Sequence, residues 1–333
     1  MNNKAKMGCI PNSKQKIHAL KNGKKPDIEK LLESAVPWDT TQQPPIIEWD
    51  NEYRNHLEKE AQKFDELRKK GSLEQWWQIA QKNGLVVKSI FLDSQGNKGS
   101  CAGVSMFERC YLTAMLKQIG MGAEMRPEKI NPMVTYAQSL GCRKEGDWIP
   151  DGQTIAAVLK AAAEIGTYPA KEAGDYDERT RYKKDWEKLE KDAEERQMGV
   201  CPLTDQRGES LRNEEMVEAI ELALRANKVV EVGNSVAISE NTNRDKNGIN
   251  IPTIGGYWSH ATCFTGIKEV NGDVYYRWEN SHGYIYHNND ESPNVGTWLN
   301  AEQLRRFCSG SFMDAGIVEY VEAPHYENQN LNP

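Results

Sequence analysis

The chain has 333 residues, which is enough to bury a substantial core and to leave an extension outside it. Its formal net charge of −7 gives no excess of positive charge of the kind that binds nucleic acid, and no apolar run approaches the length of a membrane span. The seven cysteines are an odd number and show no metal-ligand spacing, which favours neither a zinc site nor a disulfide framework. We therefore expect a cytoplasmic protein with no cofactor, no metal, and no nucleic-acid or membrane partner.

The first 80 residues form a predicted N-terminal arm and helical extension. Residues 1–50 are basic at first and then punctuated by prolines, with no apolar core of the kind that a secretory signal needs. From about Glu48 to Asn83 the pattern becomes helical, because large apolar residues recur at helical intervals. These residues are Trp49, Tyr53, Leu57, Phe64 and Leu67, followed beyond Gly71 by Trp76, Trp77 and Ile79. We expect a structural extension here.

The most informative stretch places a glutamine six positions before a cysteine that opens a predicted helix. It reads Gln95-Gly96-Asn97-Lys98-Gly99-Ser100-Cys101. A helix N-terminus presents unpaired backbone N–H groups and a partial positive charge, which favour a thiolate over a thiol. Gln95 can supply a side-chain N–H to an oxyanion. The pattern therefore predicts that Cys101 is a nucleophile, although a free cysteine is more often a small buried apolar residue.

Helical patterns dominate the middle of the chain. Apolar residues between Val104 and Met115 keep one helical face, which predicts a long buried helix that begins at the cysteine. Asn131-Pro132 starts a second helix that runs to Leu140. A third helix is predicted over 155–165, with Gly166 as its C-cap. Residues 171–198 form a charged insertion, which we interpret as a solvated helix rather than a partner-binding surface.

The last third of the chain alternates in the manner of strands. Asn213 is expected to cap a helix that ends at Arg225, and a strand follows over 229–233. Residues 239–256 contain Asn-Gly and Gly-Gly pairs, which predict a mobile hairpin or lid. The remaining predicted elements are strands over 261–267 and 274–278 that turn at 271–272, a strand over 296–299, a short helix ending at 307 and a strand over 317–320.

Two later motifs complete a catalytic pattern. Ser259-His260-Ala261 lies inside an apolar strand, and Asn280-Ser281-His282-Gly283 follows the next strand. The turn between these strands brings Asn280 back beside His260. In its Cys, His, Asn order and in the residues around Cys101, the chain resembles the papain-like cysteine peptidases. Their motifs read Gln-Gly-x-Cys-Gly-Ser-Cys-Trp and Asn-Ser-Trp-Gly.

The resemblance implies an α+β fold of two lobes. A helical lobe would carry the Cys101 helix, an antiparallel β-sheet lobe would carry His260 and Asn280, and the peptidase domain would span 81–322, followed by a polar tail at 323–333. In such a site His260 takes the thiol proton and Asn280 orients the imidazole. Gln95 and the Cys101 N–H form the oxyanion hole. Gly99 and Gly152 are candidate substrate-binding residues, although Asp151-Gly152 is equally compatible with a plain turn.

Three departures from the family pattern stand out. Ala102 replaces the tryptophan after the nucleophile, which predicts extra room on the leaving-group side. His282 replaces the tryptophan that covers the histidine–asparagine hydrogen bond, and the sequence leaves open whether Trp258 or Trp278 supplies that cover. It also leaves open whether Glu279 or His282 competes for the role of Asn280 or His260. Lys98 replaces the first motif cysteine, so the disulfide that secreted relatives make there is absent.

Three function classes are compatible with these residues. The first is a thiol peptidase that cuts peptide bonds in a peptide or protein substrate through an acyl-enzyme. The second is a non-catalytic relative, such as an assembly or virion component, that uses the fold as a binding platform. The third is a thiol acyl transferase or cell-wall amidase. In each case the N-terminal extension either binds a partner protein or occludes the cleft.

Overall fold

The computed structural model describes residues 9–10, 46–92, 94–96, 98–142, 146–173 and 193–322. The predicted arm before residue 46, apart from a two-residue strand, lies outside the described residues. So do most of the charged insertion and the polar tail. No helix among the described residues is long and apolar enough to cross a membrane.

The helices follow the predicted order. They are α1 Asn51–Lys69, α2 Trp76–Lys82, α3 Val87–Ile90, α4 Cys101–Val104, α5 Tyr111–Gly120, α6 Pro132–Ser139, α7 Ile155–Glu164, α8 Ala170–Ala173, α9 Asn213–Arg225 and α10 Ala301–Cys308. A π-helical segment, Ser105–Cys110, joins α4 to α5 without a break. Asn131 caps α6 by accepting a hydrogen bond from the backbone N–H of Met133, with Pro132 in the first turn.

One antiparallel sheet forms the other half of the fold. Its strand order is β3-β8-β4-β5-β6-β7. The strands are β3 Met198–Pro202, β4 Val229–Arg244, β5 Asn250–Val270, β6 Asp273–Glu279, β7 Gly296–Asn300 and β8 Met313–Val321. Two short strands, β1 Cys9–Ile10 and β2 Gln153–Thr154, pair in parallel outside this sheet. Helices together with an antiparallel sheet make the fold α+β, as predicted.

The sheet separates two apolar cores. On one face, α2 and the helices from α4 to α7 pack against residues such as Ala261 and Cys263 of β5. On the other face, α1, α9 and α10 pack against Trp258 and Phe264 of the same strand. Side chains of a strand alternate between faces with a period of two, so β5 contributes to both cores. The strand that carries His260 is thus fixed from both sides.

The helix that begins at Cys101 is more buried than its sequence pattern predicts. Besides the expected apolar residues, Glu108 and Arg109 are almost fully inaccessible. They pair with each other and hold the backbone of Leu92, through a 2.5 Å bond to the Leu92 N–H and a 2.7 Å bond from Arg109 to its carbonyl oxygen. Burial raises the pKa of Glu108 to about 7. The π-helical segment that carries these residues has no signal in the apolar periodicity.

The N-terminal extension is part of both cores. Tyr53, Leu57 and Phe64 of α1 are buried in the core beneath α9, and Trp76 of α2 is buried in the other core. Trp76 also donates its indole N–H to the carboxylate of Glu279 over 2.9 Å. The predicted boundary at residue 80 lies inside α2, so the extension does not separate from the rest of the fold at that point.

Two local predictions need correction. Residues 239–256 do form a hairpin, but it is an ordered continuation of β4 and β5 rather than a mobile lid. Its turn is anchored to the β5–β6 turn, where Asn247 donates to the carboxylate of Asp273 over 2.6 Å. Asn213 does not cap α9: Arg212 occupies the N-cap position, and Asn213 has a φ of 49°, in the left-handed region that asparagine tolerates.

Candidate active site

Cys101 is the first residue of α4 and is completely buried. Its sulfur accepts a hydrogen bond from the backbone N–H of Ala261 over 3.4 Å. Because Ala261 directly follows His260 in β5, this bond places the cysteine of the helical half beside the histidine of the sheet. The first N–H groups of a helix have no partner within it, and Cys101 stands at this end of α4.

His260 and Asn280 are joined as predicted. The imidazole Nε2 lies 2.7 Å from Asn280 Oδ1. Asn280 is held in turn, because its side-chain amide donates to the hydroxyl oxygen of Tyr286 over 3.1 Å. Within the described residues, His260 Nδ1 makes no hydrogen bond. Nδ1 is thus the ring nitrogen that Asn280 does not contact.

Two aromatic side chains pack on the His260 ring. Trp258 lies at a centroid distance of 4.8 Å in an edge contact, and His282 lies at 4.4 Å with 30° between the ring planes. Trp278 stacks on the Trp258 ring rather than on the His260 ring. The sequence left open whether Trp258 or Trp278 covers the His260 ring. Trp258 is the one in contact with that ring, and His282 packs on the ring as well.

Burial controls the charge of both imidazoles. Burial lowers the pKa of His260 well below its ordinary value. The neighbouring His282 lowers this pKa further, whereas the hydrogen bond to Asn280 raises it. Burial also lowers the pKa of His282 to about 4. Both rings are therefore neutral at neutral pH in this structure. Glu279 does not compete for His260, because its carboxylate accepts hydrogen bonds from Trp76 and Thr265.

Gln95 is fixed by the residue that follows Asn280. Its backbone N–H donates to the carbonyl oxygen of Ser281 over 2.8 Å, and the Ser281 hydroxyl donates to Gln95 Oε1. The side-chain Nε2 of Gln95 also donates to the carbonyl oxygen of Lys98 over 2.9 Å. Ser281, which the sequence interpretation missed, thus orients the Gln95 side chain.

The ammonium of Lys98 contacts the segment that precedes β2. It donates to the carbonyl oxygen of Ile149 and lies 3.4 Å from the carboxylate of Asp151, with the Trp148 ring 5.3 Å away. The side chain is only 8% exposed. This buried clamp ties the motif loop to the segment before β2. The signal for it in the sequence is a lysine at the motif position where the family has a cysteine.

Gly99 and Gly152 contact each other. The Gly152 N–H donates to the Gly99 carbonyl oxygen over 2.8 Å, and Asp151 accepts the Gly99 N–H over the same distance. A Cβ on Gly99 would come within 2.8 Å of Asp151, and Gly152 has a φ of 90°. The predicted approach of substrate to Gly152 therefore cannot use its N–H in this arrangement.

Ala102 does not border solvent. It is fully buried within the helical core. Cys101 and His260 are buried to the same extent, so the burial of Ala102 does not test the prediction that this position opens room on the leaving-group side.

Strand β1 lies beside the site. Cys9 and Ile10 pair with Gln153 and Thr154 of β2, which directly follow Gly152, and β1 also contacts β5. Strand β1 therefore lies against the segment that follows Gly152 and contacts the strand that carries His260. Its placement agrees with the complete burial of Cys101 and His260.

A candidate metal-binding group lies elsewhere. Among the described residues, His56, Glu60 and Glu319 bring their ligand atoms within 4.8 Å of one another. The ammonium of Lys228 lies 2.9 Å from Glu60 and 2.6 Å from Glu319, so this cluster already contains a cation. Its geometry is that of an ion-pair network between α1 and the sheet.

No protein-family model and no curated protein matches the chain. Solved structures of cysteine proteases are similar to it at low identity. Procathepsin L 3 of Tenebrio molitor shares 13% identity with a TM-score of 0.44 over 70% of this chain and 67% of that chain. Xylellain, a cysteine protease from Xylella fastidiosa, shares 14% with a TM-score of 0.46 over 71% and 84%. Procathepsin B S9 from Trypanosoma congolense shares 12% with a TM-score of 0.40 over 71% and 74%.

These structures are all papain-like cysteine proteases, the family that the motifs around Cys101, His260 and Asn280 resemble.

Proposed function

We propose that this chain is a thiol peptidase that hydrolyses peptide bonds with Cys101 as nucleophile, His260 as general base and acid, and Asn280 as the residue that orients the imidazole. One observation carries the proposal: residues far apart in sequence converge. Cys101 Sγ meets the amide next to His260 at 3.4 Å, and His260 meets Asn280 at 2.7 Å. A buried nonpolar structural cysteine needs no such arrangement.

The reaction begins from a neutral pair. The thiol proton of Cys101 moves to His260 Nδ1, and the thiolate electron pair attacks the carbonyl carbon of the scissile bond. Catalytic hydrogen bonds are often incomplete in a free enzyme and tighten when substrate binds, so the unpaired Nδ1 is compatible with this step. The Ala261 N–H, already donated to the sulfur, stabilises the developing negative charge.

The tetrahedral intermediate places an oxyanion near α4. The Cys101 backbone N–H and the side-chain amide of Gln95 are the candidate donors, and Ser281 holds the Gln95 side chain in place. As the C–N bond breaks, His260 gives its proton to the leaving amine, and the acyl-enzyme remains. Water then attacks the thioester carbon, His260 removes a proton from that water, and the acid is released as the thiol re-forms.

We propose that the N-terminal segment occludes this cleft in the full chain. Its support is the pairing of β1 with β2 beside Gly152 and the complete burial of Cys101. A substrate needs access to the sulfur, so β1 must leave before a peptide can bind. The same burial favours a second candidate, a non-catalytic relative that uses the fold as a platform, and the experiment below separates the two.

The test compares the wild type with Cys101→Ala. We expect one thiol to react with iodoacetamide faster than the others once a peptide substrate or proteolytic trimming opens the cleft, and peptide mapping should locate it at Cys101. Cleavage of a peptide library should be lost in Cys101→Ala. Equal behaviour of both proteins in both assays would support the platform. Cleavage of isopeptide or peptidoglycan substrates, but not of peptides, would support the acyl transferase or amidase class.

A further inference from the structure

The neighbour of His260 that borders solvent is His282. Asn280 meets the Nε2 edge of the His260 ring, and Trp258 packs against it from the core. Trp258 is only 6% exposed, and its indole N–H is bonded to Asn234. His282 packs on the same imidazole at 4.4 Å but remains partly exposed. A molecule that approaches His260 from outside therefore meets His282 first.

The proposed mechanism brings one part of the substrate to this place. His260 must deliver the proton on Nδ1 to the leaving amine, since its Nε2 is committed to Asn280. The substrate residue that follows the scissile bond carries that amine. Its side chain then lies beside the His282 ring, because the other sides of His260 are closed by Asn280 and the core.

His282 has a polar atom that the protein leaves unpaired. Its Nε2 is buried and makes no hydrogen bond within the described residues. A buried ring nitrogen without a partner is unfavourable, and a ligand that supplies one gains the difference. Burial holds the pKa of this ring near 4. A carboxylate brought beside it would favour the protonated ring and form a charge-assisted hydrogen bond.

The local charges favour an acidic ligand. Lys88, an exposed side chain of α3, lies 4.8 Å over the ring of Tyr284, two residues beyond His282. The nearby carboxylate of Glu279 is directed into the core, where it bonds Trp76 and Thr265. Lys88 therefore places a positive charge against the segment that follows His282.

We propose that His282 binds a carboxylate side chain on the substrate residue that follows the scissile bond, so that peptides with aspartate or glutamate at that position are preferred. This specificity rests on the peptidase function proposed above. A tryptophan at position 282, as in the family pattern, offers no acceptor for a proton and could not form an ion pair with the carboxylate.

The test uses two peptides that differ only in the residue after the scissile bond, aspartate or leucine. We expect the ratio of kcat/KM for the aspartate peptide to that for the leucine peptide to fall about tenfold in His282→Phe, the size of change expected for a lost hydrogen bond to a charged group. His282→Gln, which keeps a donor, should retain part of the preference. His287→Phe is the matched control, because this histidine lies exposed in the same loop, and its ratio should equal that of the wild type.

A binding measurement separates this inference from the peptidase function. On the Cys101→Ala background, the aspartate peptide should bind more tightly than the leucine peptide, and His282→Phe should abolish the difference whether or not the wild type cleaves either one. The inference would be overturned if His282→Phe changed neither the kcat/KM ratio of the two peptides nor the difference in their binding. An equal loss for both peptides would assign His282 to positioning His260 instead. Absence of cleavage with a retained binding difference would count against the peptidase function alone.

Discussion

The hydroxyl of Ser281 donates a hydrogen bond to Oε1 of Gln95, although the two residues are 186 positions apart. The backbone N–H of Gln95 returns a 2.8 Å bond to the carbonyl oxygen of Ser281. Since Asn280 precedes Ser281 and bonds His260, a single turn after β6 orients both the proposed base and the proposed oxyanion donor. A displacement of this turn would disturb two catalytic functions together.

Ser281→Ala should lower kcat about tenfold with a smaller effect on KM, because a misplaced oxyanion donor weakens binding of the transition state more than of the substrate. The measurement is steady-state hydrolysis of a peptide that the wild type cleaves. Gln95→Ala and the double variant complete a cycle, and we expect the two losses to be strongly non-additive. Ser309→Ala, at an exposed helix end, is the control. Additive losses would show that Ser281 does not act through Gln95.

Lys98→Met should destabilise the protein by about 1.5–3 kcal/mol, because it removes a buried charge-assisted bond and leaves the Ile149 carbonyl oxygen and Asp151 without that partner. Urea unfolding followed by tryptophan fluorescence measures the change. Lys160→Met removes an exposed ion pair with Glu164 on α7, and we expect it to cost less than about 0.5 kcal/mol. Equal effects of the two variants would mean that Lys98 does not act as a clamp.

Glu231→Gln should stabilise the protein at high pH but not at low pH. Glu231 is fully buried beside Ser105 and Cys110, and burial raises its pKa well above the ordinary value. Between the unfolded and the folded pKa, the unfolded chain releases a proton that the folded chain keeps, so stability falls as pH rises above about 4.5. The glutamine side chain does not ionise over this pH range. We expect a gain of about 1–3 kcal/mol at pH 8 that vanishes near pH 4.

The check is urea unfolding across this pH range, with Glu302→Gln at an exposed position as the control. If the curves of wild type and Glu231→Gln ran parallel over the whole range, the carboxyl would not be protonated in the folded state at neutral pH.

Ile10→Pro should increase access to Cys101. Proline has no backbone N–H and a fixed φ, so it weakens the pairing of β1 with Thr154. We expect iodoacetamide to modify Cys101 several-fold faster in this variant, measured by mass spectrometry of the Cys101 peptide, with Cys101→Ala to confirm the site. An unchanged rate would argue that something other than β1 shields the sulfur.

The sequence predicted much of the fold because its signals are local. Asn131-Pro132 starts α6, Gly166 follows the end of α7 with a φ of 88°, and the Asn271-Gly272 turn joins β5 to β6. Each of these depends on the backbone preference of one or two residues. The hairpin around residue 247 was predicted, but its anchoring was not, because that anchoring comes from side chains of a different turn, including Asp273.

The sequence by itself was enough to predict thiol chemistry at Cys101, His260 and Asn280, because the prediction needs only the types, order and spacing of the residues. The tertiary structure decided which groups surround them. The packing of His282 on the imidazole, the contact of Ser281 with Gln95 and the placement of β1 beside Gly152 all join residues that are distant in sequence or on different elements. Such contacts depend on how the helices and the sheet pack together, and burial then sets the charge of each group, so neither can be deduced from local sequence pattern.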